Sequence, residues 1–273
     1  MTTDVWVGDG SGRTVSSFRK RAASSLPAVA AFVFVVGLWQ LAVVAFGIEQ
    51  FILPAPLSIA SALFETWSTV WPAALRTLLE AVGGLVGGTV AGVAVAGAVA
   101  RWRVFRRGAM PFAAAMNAIP IVATAPIANQ LFGLTSPVSK MAVVAIMVFF
   151  PVMANTARGL TEVDESEIEL LRAMAASPTT VLRRVRIPNA LPYFFSAMRV
   201  AVPLSMIGAI VAEYFGGRQD VLGSYIVNRA QLFQFDDAWA AIVVAAGLTI
   251  AMYLIILLSE RLAMPWHVSV RDG

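Results

Sequence analysis

Long stretches without charge dominate the chain, and they repeat at the length of a membrane crossing. Leu26 to Ile48 carries no charged residue, and Ala74 to Ala100 carries only Arg76 and Glu80 near its start. Gly108 to Ser139 is again uncharged. It is too long for one helix, because about 20 apolar residues cross a bilayer. The segment Phe132-Gly-Leu-Thr-Ser-Pro137 supplies turn residues and divides it. The pattern therefore predicts six helical spans, at 26–48, 74–100, 109–131, 137–157, 193–215 and 238–260. The expected fold is an all-α polytopic membrane protein: a tail over 1–25, one six-span domain over 26–267, and a short tail over 268–273.

Composition supports that reading. The 273 residues are 59% hydrophobic and 13% charged, about half the charge of a soluble domain. Six spans place both termini on one side, and basic residues choose which. The tails and the loops after spans two and four hold 15 of the 20 Lys and Arg. The opposite side holds Lys140, Arg218 and Arg229, while Arg76 and Arg199 lie within spans. The termini are thus expected in the cytoplasm and the protein in the cell membrane. The side-specific basic residues argue against a nucleic-acid patch. The first span is too long for a signal-peptide core and no A-x-A site follows it, so it is read as retained.

Several chemistries are excluded by count. There is no Cys, and the single His is His267 near the end, so a thiolate, His-metal or Ser-His-Asp centre cannot be assembled in the core. Lys20 and Lys140 are the only lysines and neither follows Gly, so no phosphate-binding loop of the G-x-x-x-x-G-K-[ST] type exists. The chain is read as no enzyme, with no cofactor of its own. If ATP is used, another chain must bind it.

The loop over 158–192 is the most informative segment. Asp164 is placed to cap a helix, with Glu167 in capping-box position. Ile168, Leu171 and Ala175 fall on one face. Ser177 and Pro178 restart a second short helix as N-cap and first residue. That helix carries apolar Val181, Leu182 and Val185 beside Arg183, Arg184 and Arg186, and Pro188 is expected to stop it. An apolar ridge flanked by arginines suits docking into a groove of a partner, or equally a helix lying on anionic lipid.

This loop resembles the EAA motif of binding-protein-dependent ABC importer permeases, E-A-A-x-x-x-G followed after nine residues by I-x-L-P. Glu169 and Pro188 match, Ala175 stands where the motif has Gly, and Leu170-Leu171 replace Ala-Ala. Phe51-Ile-Leu-Pro-Ala-Pro56, Ile119-Pro120 with Ala125-Pro126, Phe150-Pro151 with Asn155-Thr156, Ile187 to Pro192 with Met198-Arg199, and Gly208 to Gly217 resemble the nitrate/sulfonate/taurine branch. The resemblance implies a type I importer permease, paired with a second copy. It also implies a separate cytoplasmic ATPase that uses ATP and Mg, and an extracytoplasmic solute-binding protein. Glu169, Ala173, Ala175, Ala176, Ser177, Pro178, Leu182, Arg183, Val185 and Pro188 would then couple the ATPase to the spans. Val148 to Thr156 with Ala209 to Gly217 looks like members assigned to riboflavin or thiamine-pyrimidine precursors, while sulfonate, taurine and nitrate carriers share most of these signatures.

Polar groups inside spans are candidates for the translocation pathway. They are Glu80, Asn117, Asn129, Gln130, Ser205 and Glu213. Each has a structural alternative: Glu80 paired with Arg76, the amides bonded between helices, Ser205 bonded to its own backbone, Glu213 as a satisfied interfacial carboxylate. Arg199 is expected to reach the cytoplasmic face. Gly84, Gly88 and Gly92 form a column for close helix packing, within the chain or between subunits. The rival function is a self-contained secondary transporter. It would need a mid-membrane carboxylate, whereas Glu80 and Glu213 lie near the outer ends of their spans.

Overall fold

The computed structural model describes residues 13–102, 108, 111, 120–216 and 218–265, and these are helical with short connections. They fall into two compact units, Met1–Ser61 and Ala62–Gly273. In the first unit, α1 runs over Arg13–Ala45 and includes the apolar stretch Val29–Ala45. The chain turns where Gly47 takes a φ of 59°, a left-handed conformation open to Gly. Gln40 Oε1 then accepts the Leu57 N–H at 3.1 Å, which fixes the start of the next helix.

That helix, α2, runs over Pro56–Arg101. Its 46 residues make it about 69 Å long, more than twice the hydrocarbon thickness. It begins well before the expected span at 74. Pro56 suits a first helical position, and Pro72 within the helix does not end it.

The second unit is built from α3 (Ile121–Phe132), α4 (Pro137–Thr161), α5 (Glu165–Ala173), α6 (Pro178–Val181), α7 (Ile187–Tyr214), α8 (Leu222–Gln231) and α9 (Phe235–Ala263), together with α2 from Ala62 onward. The expected split between spans three and four is present. Gly133 ends α3 at a φ of 96°, and Ser136 caps α4 through the Val138 N–H with Pro137 behind it. Residues 109, 110 and 112–119 of the expected third span, including Asn117, lie outside the described residues. Among the described residues, four helical stretches are long and apolar enough to cross a membrane: Pro56–Arg101, Pro137–Thr161, Pro178–Tyr214 and Phe235–Ala263.

The core forms where α2, α4, α7 and α9 meet. Ala81 and Leu85 pack with Val144, Val148 and Val152, with Ala197, Ala201, Val202 and Met206, and with Met252. The closest approach follows the glycine column. A Cβ on Gly84 would fall 2.3 Å from Val144 Cβ, and one on Gly88 would fall 2.5 Å from Ala145 O. On Gly92 it would meet Phe149 O at 3.0 Å. The column therefore seats α4 of the same chain. Outward faces stay apolar: Ile242, Val243, Ile250, Leu254, Leu258 and Leu262 of α9 are all exposed. So large an uncovered apolar surface requires lipid or another protein chain against it.

Two structural features lie beyond the expected outline. Helix α8 occupies a segment expected to be loop, where Leu222 and Tyr225 pack against Val70, Ala73 and Ala74 of α2 and Ala241 of α9. Helix α7 begins at Ile187, not 193, for a reason given below.

The glycine contacts give a direct test. Gly88→Leu is expected to destabilise the protein by about 1–3 kcal/mol through overpacking. Gly97→Ala, at a position with nothing within 4 Å, should be neutral or slightly stabilising. Thermal unfolding of the detergent-solubilised variants compares the two.

Candidate functional site

The loop after α4 folds as a tight helical hairpin. Asp164 caps α5 by accepting the Ser166 N–H at 3.0 Å and its hydroxyl at 2.8 Å. The Ser166 hydroxyl and N–H hold the Asp164 carboxyl below its ordinary range. The cap therefore persists at neutral pH and weakens as pH falls through the lowered value. Helix α5 closes with a Schellman turn. The Ala175 N–H donates to Arg172 O and the Ala176 N–H to Leu171 O, each at 2.9 Å. Ala175 sits at the left-handed position with φ 56°, where Gly is usual. Ser177 then caps α6 through the Thr180 N–H at 3.2 Å, with Pro178 first in the helix.

The expected stop at Pro188 is corrected. Residues Leu182–Arg186 form a π-helical turn, and the helix continues from Pro178 to Tyr214. In a regular α-helix the Pro188 ring would press on the carbonyl four residues earlier and lack an N–H to bond it. The wider turn, in which the Ile187 N–H donates to Leu182 O, lets the chain pass the proline. A second bond set holds the junction. Asn189 Nδ2 donates to Gly159 O at 2.8 Å and Glu162 O at 3.0 Å, tying α7 to the end of α4. Ala190 lies so near Gly159 that a Cβ there would fall 2.7 Å from its Cα.

The hairpin divides its apolar residues between two sides. Ile168, Leu171 and Val185 are half-buried and Val181 is buried. Leu170, Met174 and Leu182 are exposed, at 64, 71 and 40%. Glu169, Ala173, Ala175, Ser177, Pro178 and Arg183 are exposed beside them, and Ala176 and Pro188 are half-buried. Leu170 and Met174 are part of this outward surface although they were absent from the expected set. Their spacing of four was the signal.

At the opposite end of α7 lies a buried polar cluster. Glu80, Glu213 and Lys140 are 2, 1 and 0% exposed. The expected Arg76–Glu80 pair is corrected: Arg76 pairs with Asp220, and Glu80 meets Glu213. Glu213 Oε2 accepts the Gly223 N–H at 2.7 Å, and Thr77 Oγ1 accepts the Leu222 N–H at 3.0 Å. The first turn of α8 thus rests on α7 and α2. Lys140 was counted among the basic residues of the outer side, and the structure buries it near the start of α4. Its ammonium donates to Asn129 Oδ1 at 3.1 Å and to Leu134 O at 2.5 Å. A lone lysine inside an otherwise apolar run was the available signal.

The other candidates separate. Asn129 Nδ2 donates to Phe215 O at 3.1 Å, a bond between segments. Gln130 is exposed. Ser205 is buried and donates to Val202 O of its own helix at 2.7 Å. Arg199 finds a partner that sequence did not assign: its Nε and Nη2 bond Glu260 Oε2 at 3.0 and 2.5 Å, joining α7 to α9.

Comparison with known proteins decides the family. Residues 84–264 match the model of the binding-protein-dependent transport system inner membrane component. The chain belongs to this family. The permease is 34% identical over 233 residues to the riboflavin transport system permease protein RibX of Chloroflexus aurantiacus, covering 85% of this chain and 86% of that one. It is 29% identical to the formylaminopyrimidine transport permease protein ThiX of Halalkalibacterium halodurans, covering 91% and 98%. It is 27% identical to a putative aliphatic sulfonates transport permease protein SsuC of Bacillus subtilis, covering 89% and 87%. Its fold resembles a solved amino acid ABC transporter chain, with TM-score 0.58 and 16% identity over 72% of this chain and 95% of that one. The permease is thus a multi-pass, non-catalytic membrane component of a transport system that works with a binding protein. That membership sets aside the self-contained secondary transporter.

Two substitutions test the local geometry. Ala175→Gly is expected to stabilise the hairpin by roughly 0.5–1 kcal/mol, because it relieves the left-handed alanine. Slower hydrogen exchange over residues 165–176 is the readout. Arg199→Met should cost about 2 kcal/mol by stranding buried Glu260, a value reduced for the part-exposed arginine. The double variant Arg199→Met with Glu260→Met should recover most of that loss in thermal unfolding.

Proposed function

We propose that the chain is the membrane-spanning subunit of an ATP-driven importer that admits a small heteroaromatic nutrient of the riboflavin or pyrimidine class. In this reading it has six spans with both termini in the cytoplasm, and it pairs with a second copy. The hairpin over 158–192 docks on a separate ATPase that uses ATP and Mg. An extracytoplasmic binding protein delivers the solute.

The observation that carries the coupling role is the unbroken helix from Pro178 to Tyr214. Its first turns sit in the exposed hairpin and its last turn reaches the buried acid cluster. Leu170, Met174 and Leu182 give the hairpin an uncovered apolar surface, with Glu169 and Arg183 exposed on the same hairpin. A partner groove would bury that surface. Movement imposed on the hairpin would pass into α7 as a displacement of the whole rod. Sulfonate and nitrate permeases also match this chain, with less identity than the riboflavin relative. The heteroaromatic reading rests on that relative and on the formylaminopyrimidine one. Gln130, exposed on α3, is the polar candidate open to a solute, while Asn129, Ser205, Glu80 and Glu213 would frame the path from behind.

The test uses the assembled transporter in proteoliposomes. Glu169→Lys and Leu182→Asp are expected to lower solute-stimulated ATP hydrolysis and uptake at least about tenfold, the effect of losing roughly 1.4 kcal/mol of docking. Membrane insertion should be unchanged. Wild-type stimulation in both variants would remove the hairpin from the coupling path. Riboflavin and a pyrimidine should compete for uptake, while an alkyl sulfonate should not.

A further inference from the structure

Two carboxyls lie within hydrogen-bonding reach of each other at the junction of α2, α7 and α8: Glu80 and Glu213. Both are at least 98% buried. Each carries a buried oxygen with no donor, Glu80 Oε2 and Glu213 Oε1. Ionised carboxylates only accept hydrogen bonds, so two in contact repel unless a proton lies between them.

The surrounding charges are few and have their own partners. Arg218 bonds Asp220 with Nε and Nη2 at 3.0 Å each, and Asp220 also holds Arg76. Lys140, on α4, is the one fully buried cation among the described residues, and it lies close enough to act on both acids. Its ammonium donates to Asn129 Oδ1 and Leu134 O, with no carboxylate within ion-pair distance among the described residues. The remaining neighbours are dipoles: the Thr77 hydroxyl on α2, which donates to Ala73 O, and the Gly223 N–H at the start of α8, which donates to Glu213 Oε2. Glu80, Glu213 and Lys140 together sum to one negative charge if both acids are ionised. One proton makes the group neutral. A divalent cation would overshoot, and Lys140 would repel any metal ion.

We propose that Glu80 and Glu213 hold a single proton between them, forming a proton-binding site that clasps α8 to α2 and α7. Loss of the proton leaves two like charges buried in contact, and relief comes from admitting water to them, which opens the junction of α2 and α7 beneath the first turn of α8. The clasp is therefore a proton-dependent closure of this end of the protein. It stands on the packing of one chain and does not depend on what the hairpin docks or which solute is carried.

Infrared spectroscopy of the full chain in lipid nanodiscs tests it, because a protonated carboxylic acid has its own carbonyl stretch. The wild-type protein should show this band at neutral pH, and both Glu80→Gln and Glu213→Gln should lack it. The other buried acid, Glu260, is ion-paired with Arg199 and should not contribute. Amide exchange over residues 222–231, corrected for its intrinsic pH dependence, should quicken on the order of tenfold as the band disappears at alkaline pH. Glu80→Gln keeps a neutral donor against Glu213, so its exchange should stay slow across that range. A wild-type protein without the band, or a band that persists in both variants, overturns the proposal. If the variants fail to insert, the wild-type titration decides alone. Band and α8 protection lost in one pH step support the clasp, and protection independent of the band refutes it.

Discussion

One hydrogen bond, from the Ile187 N–H to Leu182 O, lets a proline-bearing segment remain helical. Without that wider turn, Pro188 would end the helix and the hairpin would hang from α7 as a separate piece. With it, residues 178–214 form one rod. The hairpin end is pinned by Asn189 to the last carbonyls of α4, and the far end carries Glu213. Both candidate sites therefore sit on one element. The relation between them is mechanical before it is chemical.

The large-scale plan was legible because burial in lipid imposes length. A run of apolar residues long enough to cross a bilayer announces itself. The Gly133 to Pro137 break was equally plain, since it combined a left-handed glycine with a Ser-Pro helix start. Caps at Asp164 and Ser177 were readable for the same local reason. What failed was any inference requiring a distant partner. Arg76 and Glu80 stand at the spacing of a helical pair, yet each finds its partner elsewhere, in Asp220 and Glu213. Lys140 reads as one more basic residue of the outer side until Asn129 of α3 and Leu134 O close on its ammonium. Pro188 shows a subtler limit. Proline signals a break in helical bonding, and the chain satisfied that signal by shifting register instead of stopping.

The family includes members named for different solutes. The caps, the glycine column and the rod are accounted for by backbone bonding and packing within the chain. Relatives named for riboflavin, formylaminopyrimidine and sulfonates fit the same chain at 27–34% identity.

The column at Gly84, Gly88 and Gly92 restricts how such a protein can move. With backbone pressed against backbone, α2 and α4 have no layer of side chains to act as a bearing. Neither helix can roll or slide past the other without first separating. They behave as a fixed chassis. Any cycle of opening and closing must find its play at joints such as that of α9, whose contacts with α7 and α8 are made by side chains that have alternative rotamers.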